Sequence, residues 1–287
     1  MPIALTVAII STFLGYSKRI PKELLKELLR KYSRRMLVAE GKNYLYLVSE
    51  ITEEDFGCEG RREEDGDKVS VRLTNGLGAS LVLQQSDQYL YNNQIDEGDV
   101  VELNITGNTP DDIKLIKKFH IRKIEAKDAD AAVAIEQICF PPNEACSEKM
   151  MRERVEKAAD SFMIAEVSGN VLAVDHLTVA GFINGIATND EKFRDDFFTD
   201  ASLHNPAGKN VMLCGVDVLP AYRNQGLASL MMQAYKADAK KQGRENLLLT
   251  NLEEKVPFYK RMGYVDLGQA DSTWGGEVWH EMKLVLK

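Results

Sequence analysis

The sequence predicts a mixed chain of strands and helices, of the α+β or α/β class, built in two parts. Three observations predict it. From Met36 to Ile105 short apolar runs alternate with period two and are separated by turn residues, which reads as a small β-barrel or curled sheet. After Asn108-Thr109-Pro110 the pattern changes to strands alternating with amphipathic helices. Within that second region the run Asn210–Val218 passes through Pro220 and Gly226 straight into a helical pattern. The predicted parts are residues 1–108, smaller and of unread function, and residues 118–287.

The 287 residues are 44% hydrophobic and 28% charged, as in an ordinary globular protein. A net charge of −8 argues against a nucleic-acid partner gripped over the whole surface. Cys58, Cys139, Cys146 and Cys214 form no CxxC pair and no metal ladder. Free thiols in a reducing, cytoplasmic compartment and no metal site are therefore expected. Ile3–Leu14 is apolar but shorter than the roughly 20 residues that span a bilayer. The basic residues that follow it, Lys18, Arg19, Lys22 and Lys26 among them, would suit a membrane-surface anchor. A buried N-terminal element is the favoured alternative.

In chain order, Pro21 opens an amphipathic helix with the stripe Leu24, Leu25, Leu28, Leu29 and Tyr32. Met36–Ala39 and Tyr44–Ile51 read as a hairpin, and Glu53–Asp67 as an acidic loop. Lys68–Leu73 and Ala79–Gln84 flank Asn75-Gly76, a strong hairpin signal. Val100–Ile105 and Phe119–Ile124 are further strands. Asp128 or Asp130 is the expected cap of a helix with the face Ala131, Ala134, Ile135 and Ile138. Ser147 is the expected cap of a second helix. Phe162–Val167 and the run to Thr188 form a hairpin around Ser168-Gly169-Asn170, and Glu191–Ser202 a lid or short helix. Strands Asn246–Asn251 and Val278–Leu286 bracket a short helix near Val256–Arg261.

The strand–turn–helix unit carries the chemistry. Pro220 cannot donate to a sheet, so the strand stops before it. Gly226 permits close backbone approach, and Leu227, Leu230, Met231 and Ala234 then share one helix face. Free N–H groups and the positive end of the helix dipole converge there, an anion site suited to a pyrophosphate. The loop is neither a Walker P-loop nor a dinucleotide fingerprint.

Arg223-x-x-Gly226-x-Ala228 after a Val-x-Pro strand end resembles the acetyl-CoA signature of the GCN5-related N-acetyltransferase (GNAT) superfamily. Val256-Pro257-Phe258-Tyr259-Lys260-Arg261-Met262-Gly263-Tyr264 is similar to that family's F-Y-x-x-x-G-F/Y box. The resemblance spans roughly Phe119 to the C-terminus. Cys139-Phe140-Pro141 with Glu144-Ala145-Cys146-Ser147, Leu203-His204-Asn205-Pro206-x-Gly208 and Val256-Pro257-Phe258-Tyr259 look most like the arylalkylamine branch and its bacterial relatives, and Gly275-Gly276-Glu277-Val278-Trp279 resembles the C-terminal strand entry of the bacterial members. The resemblance implies the acyl-CoA N-acyltransferase fold, a mixed, mostly antiparallel sheet with flanking helices. It also implies transfer of an acetyl group from acetyl-CoA to a primary amine, a small molecule or a protein amine, by direct attack.

On that resemblance, Val216, Asp217, Val218, Arg223, Asn224, Gln225, Gly226, Leu227, Ala228, Asn251 and Tyr259 are the expected cofactor contacts. Asn251 has helix capping as an equal alternative. Tyr259 is the expected general acid for the leaving thiolate. The two central-strand histidines of the animal arylalkylamine enzymes match Met212 and Cys214 here, so the base is open. Cys214 as thiolate, Asp217, Glu144 or a water chain are the candidates, with His176 and His204 as weaker ones. Phe140, Pro141, Glu144, Met212 and Trp274, with Phe197 and Phe198, are candidates for the acceptor wall, an aromatic and acidic mix suited to a cationic amine. Two further readings are a CoA-sensing binding module and a protein acetyltransferase whose N-terminal part docks the target.

Overall fold

A run of buried alternating residues is what turns the middle of this chain into a sheet. The computed structural model describes residues 45–53, 68–106, 112–169, 171 and 177–286. The expected N-terminal apolar segment and helix, the acidic loop, the Asn108-Thr109-Pro110 linker, Cys58 and His176 lie outside the described residues. The strands are β1 Leu45–Glu53, β2 Lys68–Thr74, β3 Ser80–Ser86, β4 Asp99–Ile105, β5 Ile113–Lys123 and β6 Phe162–Val167. They continue as β7 Val179–Thr188, β8 Asn210–Val218, β9 Asn246–Leu252, β10 Val265–Gln269 and β11 Trp279–Val285. The helices are α1 Asp87–Asn92, α2 Ala129–Cys139, α3 Glu148–Lys157, α4 Asp196–Thr199, α5 Leu227–Lys241 and α6 Val256–Arg261.

All these strands lie in one eleven-stranded sheet of order β10-β11-β9-β8-β7-β6-β5-β4-β1-β2-β3. Every neighbouring pair is antiparallel except β8 and β9, which are joined through α5 and run parallel. β5 pairs with β4 on one side and β6 on the other, so the two predicted parts share one hydrogen-bonded surface. The strands before residue 108 continue that surface, and the Asn75-Gly76 turn joins β2 to β3 as the sequence predicts.

Period two decides which core each strand feeds. Leu45 and Leu47 of β1 point into the main core, with Leu227, Leu230, Met231 and Tyr235 of α5. Tyr46 and Val48 point the other way, into a second core with Val71, Leu73 and Leu90 of α1. The sheet therefore curls around α5. The β2–β3 turn touches the same helix, where Gln233 Nε2 donates to Gly76 O at 3.1 Å.

Two helix details differ from the sequence reading. α2 buries Ala129, Ala132, Ile135 and Glu136, while Ile138 is exposed, so its inward face is rotated from the expected one. Asp128 holds the N-cap position of α2 without capping by its side chain. Its carboxylate accepts from both terminal nitrogens of Arg122, at 2.7 and 3.0 Å. Ser147 does cap α3, accepting from Met150 N at 3.3 Å. α1, capped by Ser86, has no counterpart in the sequence reading. Its six residues are too short for periodicity to register.

β7 is buried along its whole length and supports β8 from behind. Gly181 stands opposite Val218, where a Cβ would overlap the Asp217 carbonyl oxygen. Gly181→Ala is therefore expected to destabilise by about 1–3 kcal/mol through overpacking. A melting curve indistinguishable from the parent's would show that β8 shifts freely at this point.

Candidate active site

The cleft exists because two parallel strands part. The β8–β9 ladder runs from Asn210↔Asn246 to Leu213↔Leu249, although β8 continues to Val218 and β9 to Leu252. The departure coincides with a bulge in β8. Asn184 pairs with Gly215 and Gly185 with Leu213, which leaves Cys214 as the extra residue. A cavity of about 730 Å³ opens there, lined on one wall by Cys214–Val218 and on the other by Leu249–Leu252. The β9-facing backbone edge of that β8 stretch is left without a strand partner.

One end of the cleft is the turn into α5. Asn224 and Gly226 both take left-handed backbone, φ 62° and 87°. Gly226 is the N-cap of α5, with no side-chain cap and no acidic residue in the first turn. The first amides of this 15-residue helix are thus not satisfied by a capping side chain. Arg223 folds back and donates through Nε to Val218 O at 2.8 Å, next to those amides. Arg223, Asn224, Gly226, Leu227 and Ala228 line the cavity. Gln225 does not; its Nε2 donates to Ala221 O at 3.3 Å within the turn.

Tyr259 on α6 lines the cleft with Asn251 of β9. Its ring packs edge-on against Phe258 at 5.0 Å and Tyr264 at 5.7 Å. Burial, with a smaller effect from the Asp217 carboxyl, raises its pKa above the ordinary phenol value, so the proton stays on it at neutral pH. Asn251 is buried and donates to His280 O at 3.3 Å across β11, which sets aside the helix-cap alternative. Its Oδ1 is buried with no partner.

The other face of β8 carries a charged floor. Asp217, Glu136 and Arg154 are all buried and all line the cavity. Glu136 accepts from Cys146 N at 2.8 Å. Arg154 donates through Nη1 to Asn184 Oδ1 at 3.3 Å and through Nη2 to Phe198 O. Burial first, and Glu136 second, push the Asp217 carboxyl well above the ordinary carboxylate range. Burial also raises Glu136.

Several expected residues are placed otherwise. Burial pushes the Cys214 thiol up to about 11, and its Sγ donates to Phe197 O at 3.3 Å, so it is not a thiolate base. Met212 is fully buried among Ile186, Phe197 and Leu248 and does not line the cavity. Pro141 is exposed and Phe197 is buried in the same cluster as Met212, and neither lines the cavity. Phe140, Glu144, Phe198 and Trp274 do line the cavity. Trp274 donates through Nε1 to Glu144 O at 2.9 Å and packs on Phe198 at 5.1 Å. Burial raises the Glu144 carboxyl, with Glu277 adding to it. His204 is a structural ring: Nδ1 accepts from Ala187 N at 3.1 Å and Nε2 lies 2.8 Å from Asp160 Oδ1.

Glu136, Arg154 and Asn184 are site residues that the sequence reading missed. Each stands in an inward-facing run: Glu136 with Ala132 and Ile135, Arg154 with Met151 and Val155, Asn184 within all-buried β7. A charged or amide residue on an otherwise apolar stripe was the available signal. Among the described residues no helix is long and apolar enough to cross a membrane, and no His, Cys, Asp and Glu group is placed to hold a metal ion.

Comparison with known proteins bears on this cleft. Residues 129–264 match the Acetyltransferase (GNAT) family, a stretch that holds α5, its turn and Tyr259. A Bacillus subtilis (strain 168) protein named "Probable hydrolase YhcX" is 24% identical over 152 residues, half of this chain and 28% of that relative. The chain thus spans little more than a quarter of that curated relative's length. Among solved structures, the loading GNATL domain of CurA from Lyngbya majuscula aligns over 58% of this chain and 98% of its own, at 15% identity and TM-score 0.49. The ribosomal-protein-S18-alanine N-acetyltransferase from Escherichia coli aligns over 59% and 94%, at 18% identity and TM-score 0.41. By sequence, the segment from residue 129 to residue 264 is thus similar to the acetyltransferase (GNAT) family.

Proposed function

We propose that this protein transfers the acetyl group of acetyl-CoA to a primary amine by direct attack, with Tyr259 as general acid. The observation that carries the reading is the uncapped N-terminus of α5 beside Arg223, at one end of a cleft that also contains Tyr259. Unshared amides and a helix dipole suit a pyrophosphate. The open edge of Cys214–Val218 and the unpartnered Asn251 Oδ1 suit the amides of a pantetheine arm. A thioester held along that edge would bring its sulfur toward α6. Bound there, the group supplies an activated acyl carbon. The chain's part is to orient it, to accept the amine's proton, and to donate one from Tyr259 to the departing thiolate. The wall of Phe140, Phe198, Trp274 and Glu144, with the likeness to the arylalkylamine branch, favours a cationic amine as acceptor.

The test is calorimetric titration with CoA, followed by thiol release from acetyl-CoA across a panel of amines and peptides. Thiol release with a small amine supports the reading. Tight CoA binding without release on any acceptor would replace it with a CoA-sensing module, and absence of binding would remove both. Ala228→Asp gives a sharper check, because Ala228 lines the cleft in the first turn of α5. A carboxylate there favours the free helix by about 0.3–1 kcal/mol but repels a pyrophosphate. The variant is expected to melt no lower than the parent and to bind CoA at least about tenfold more weakly, or about 1.4 kcal/mol. Unchanged affinity would place the pyrophosphate elsewhere.

A further inference from the structure

Two buried polar atoms without partners converge at the floor of the cleft, one on Asp217, which lines it, and one on Asn184, which lies just behind the lining and is held by the lining residue Arg154. Asp217 Oδ2 and Asn184 Nδ2 each have no hydrogen-bond partner, in side chains that are 3% and 1% exposed. They meet over Gly215, which also lines the cleft. A Cβ on Gly215 would stand 3.0 Å from Asp217 Oδ2, 3.2 Å from Asn184 Nδ2 and 3.3 Å from the ring of Phe182, so the two polar atoms flank the backbone here and any ligand meets them from the cleft side. Register explains the meeting: Asn184 is the ladder partner of Gly215, and Asp217 is two residues on, so all three face the same side of the sheet.

The orientation of the Asn184 amide is fixed chemically. Arg154 can only donate, and its Nη1 points at the Asn184 oxygen at 3.3 Å. The amide nitrogen is therefore the atom turned toward Gly215. One orphan is an acidic acceptor and the other a neutral donor. Leaving either buried without a partner is costly, so the pair marks a place for a group that answers both.

We propose that the space over Gly215 is the acceptor subsite, and that it selects a primary amine with an oxygen acceptor on the adjacent carbon or one bond beyond. The ammonium sits on Asp217 Oδ2 and the oxygen accepts from Asn184 Nδ2. An amino alcohol and an aminoacyl group share this chemistry. Glu136 and Arg154 are positioning residues: Glu136 adds negative charge beside Asp217, and Arg154 holds Asn184 and offsets part of that charge. The inference rests on the acetyltransferase reading for its chemistry. Asp217 takes the proton: one N–H bond of the ammonium breaks, an O–H bond forms on the carboxylate, and the lone pair stays on nitrogen. That nitrogen then forms the N–C bond as the C–S bond breaks. Tyr259 gives its proton to the thiolate and regains one from the new amide nitrogen, and the Asp217 proton passes to solvent.

The experiment is calorimetric binding of sec-butylamine, 2-amino-1-butanol and 2-aminobutanamide to the full chain, each with and without CoA. The two oxygen-bearing amines are expected to bind at least about tenfold tighter than sec-butylamine, as for a site built to donate to a substrate oxygen. The arm that binds tighter distinguishes an amino alcohol from an aminoacyl acceptor. Gly215→Ala, which fills the space, and Asp217→Asn, which keeps its shape, are each expected to lose that binding. Melting temperature serves as the control for folding. Equal binding of all three amines, or a Gly215→Ala variant that folds and binds them as the parent does, overturns the subsite. Absence of CoA binding overturns the acetyltransferase reading instead, and the titrations without CoA still decide whether the subsite exists.

Discussion

Replacing Tyr259 by phenylalanine is expected to slow acetyl transfer by about 10²–10⁴-fold, the usual worth of a positioned general acid. CoA affinity should not change. The substitution removes one oxygen and leaves the ring, which is held between Phe258 and Tyr264. Pro257 in the first turn of α6 fixes the helix that presents it. Burial, with a smaller effect from the Asp217 carboxyl, keeps the phenol protonated at neutral pH, so the proton is present to meet the departing thiolate. The measurement is steady-state thiol release, with CoA titration as the binding control. A variant that turns over as fast as the parent would remove Tyr259 from the chemistry. A variant that binds CoA weakly would give the hydroxyl a holding role instead.

The sequence was most legible where one physical rule acts alone. Strand β8 ends where Pro220 must end it, and its bounds, Asn210–Val218, are those the apolar run predicts. Gly226 takes the positive φ that a glycine before a helix advertises, and Asn75-Gly76 turns a hairpin. Ser147 caps α3 because a serine before a helical run has that use. Legibility fell where tertiary packing chooses among local options. The face of α2 is set by the floor of the cleft, so Glu136 turns inward and Ile138 outward, against simple hydrophobicity. Asp128 does not cap α2 because its carboxylate is taken by Arg122, a charged partner from β5, and by the Glu125 amide one turn earlier. Met212 and Cys214 show the effect of the bulge. They are two residues apart in sequence, yet Met212 is sealed in an aromatic cluster while Cys214 reaches the cavity. The floor itself joins β7, β8, α2 and α3, and only folding brings those four together.

Arg154→Met is expected to destabilise the fold by about 3–5 kcal/mol at neutral pH, because it leaves buried carboxyls without their cation. At about 2–4 °C per kcal/mol for a chain of this size, the melting temperature falls well outside error. The loss should also depend on pH, and the sign follows from the carboxyls. Asp217 and Glu136 both have pKa values raised by burial, and Arg154 opposes the rise in each. Well below pH 4 they are protonated in the folded and the unfolded chain alike, and burial carries no ionic penalty. As the pH climbs, the unfolded chain ionises first, and stability is lost until the folded carboxyls ionise too. Without Arg154 the folded values rise further, so the loss extends over a wider range. The gap in melting temperature between parent and variant should therefore be small near pH 4 and large near pH 8. The hydrogen bonds to Asn184 and Phe198 set the smaller, pH-independent part. An equal gap at both pH values would mean that the guanidinium acts through those bonds alone, and that the two carboxyls do not need its charge.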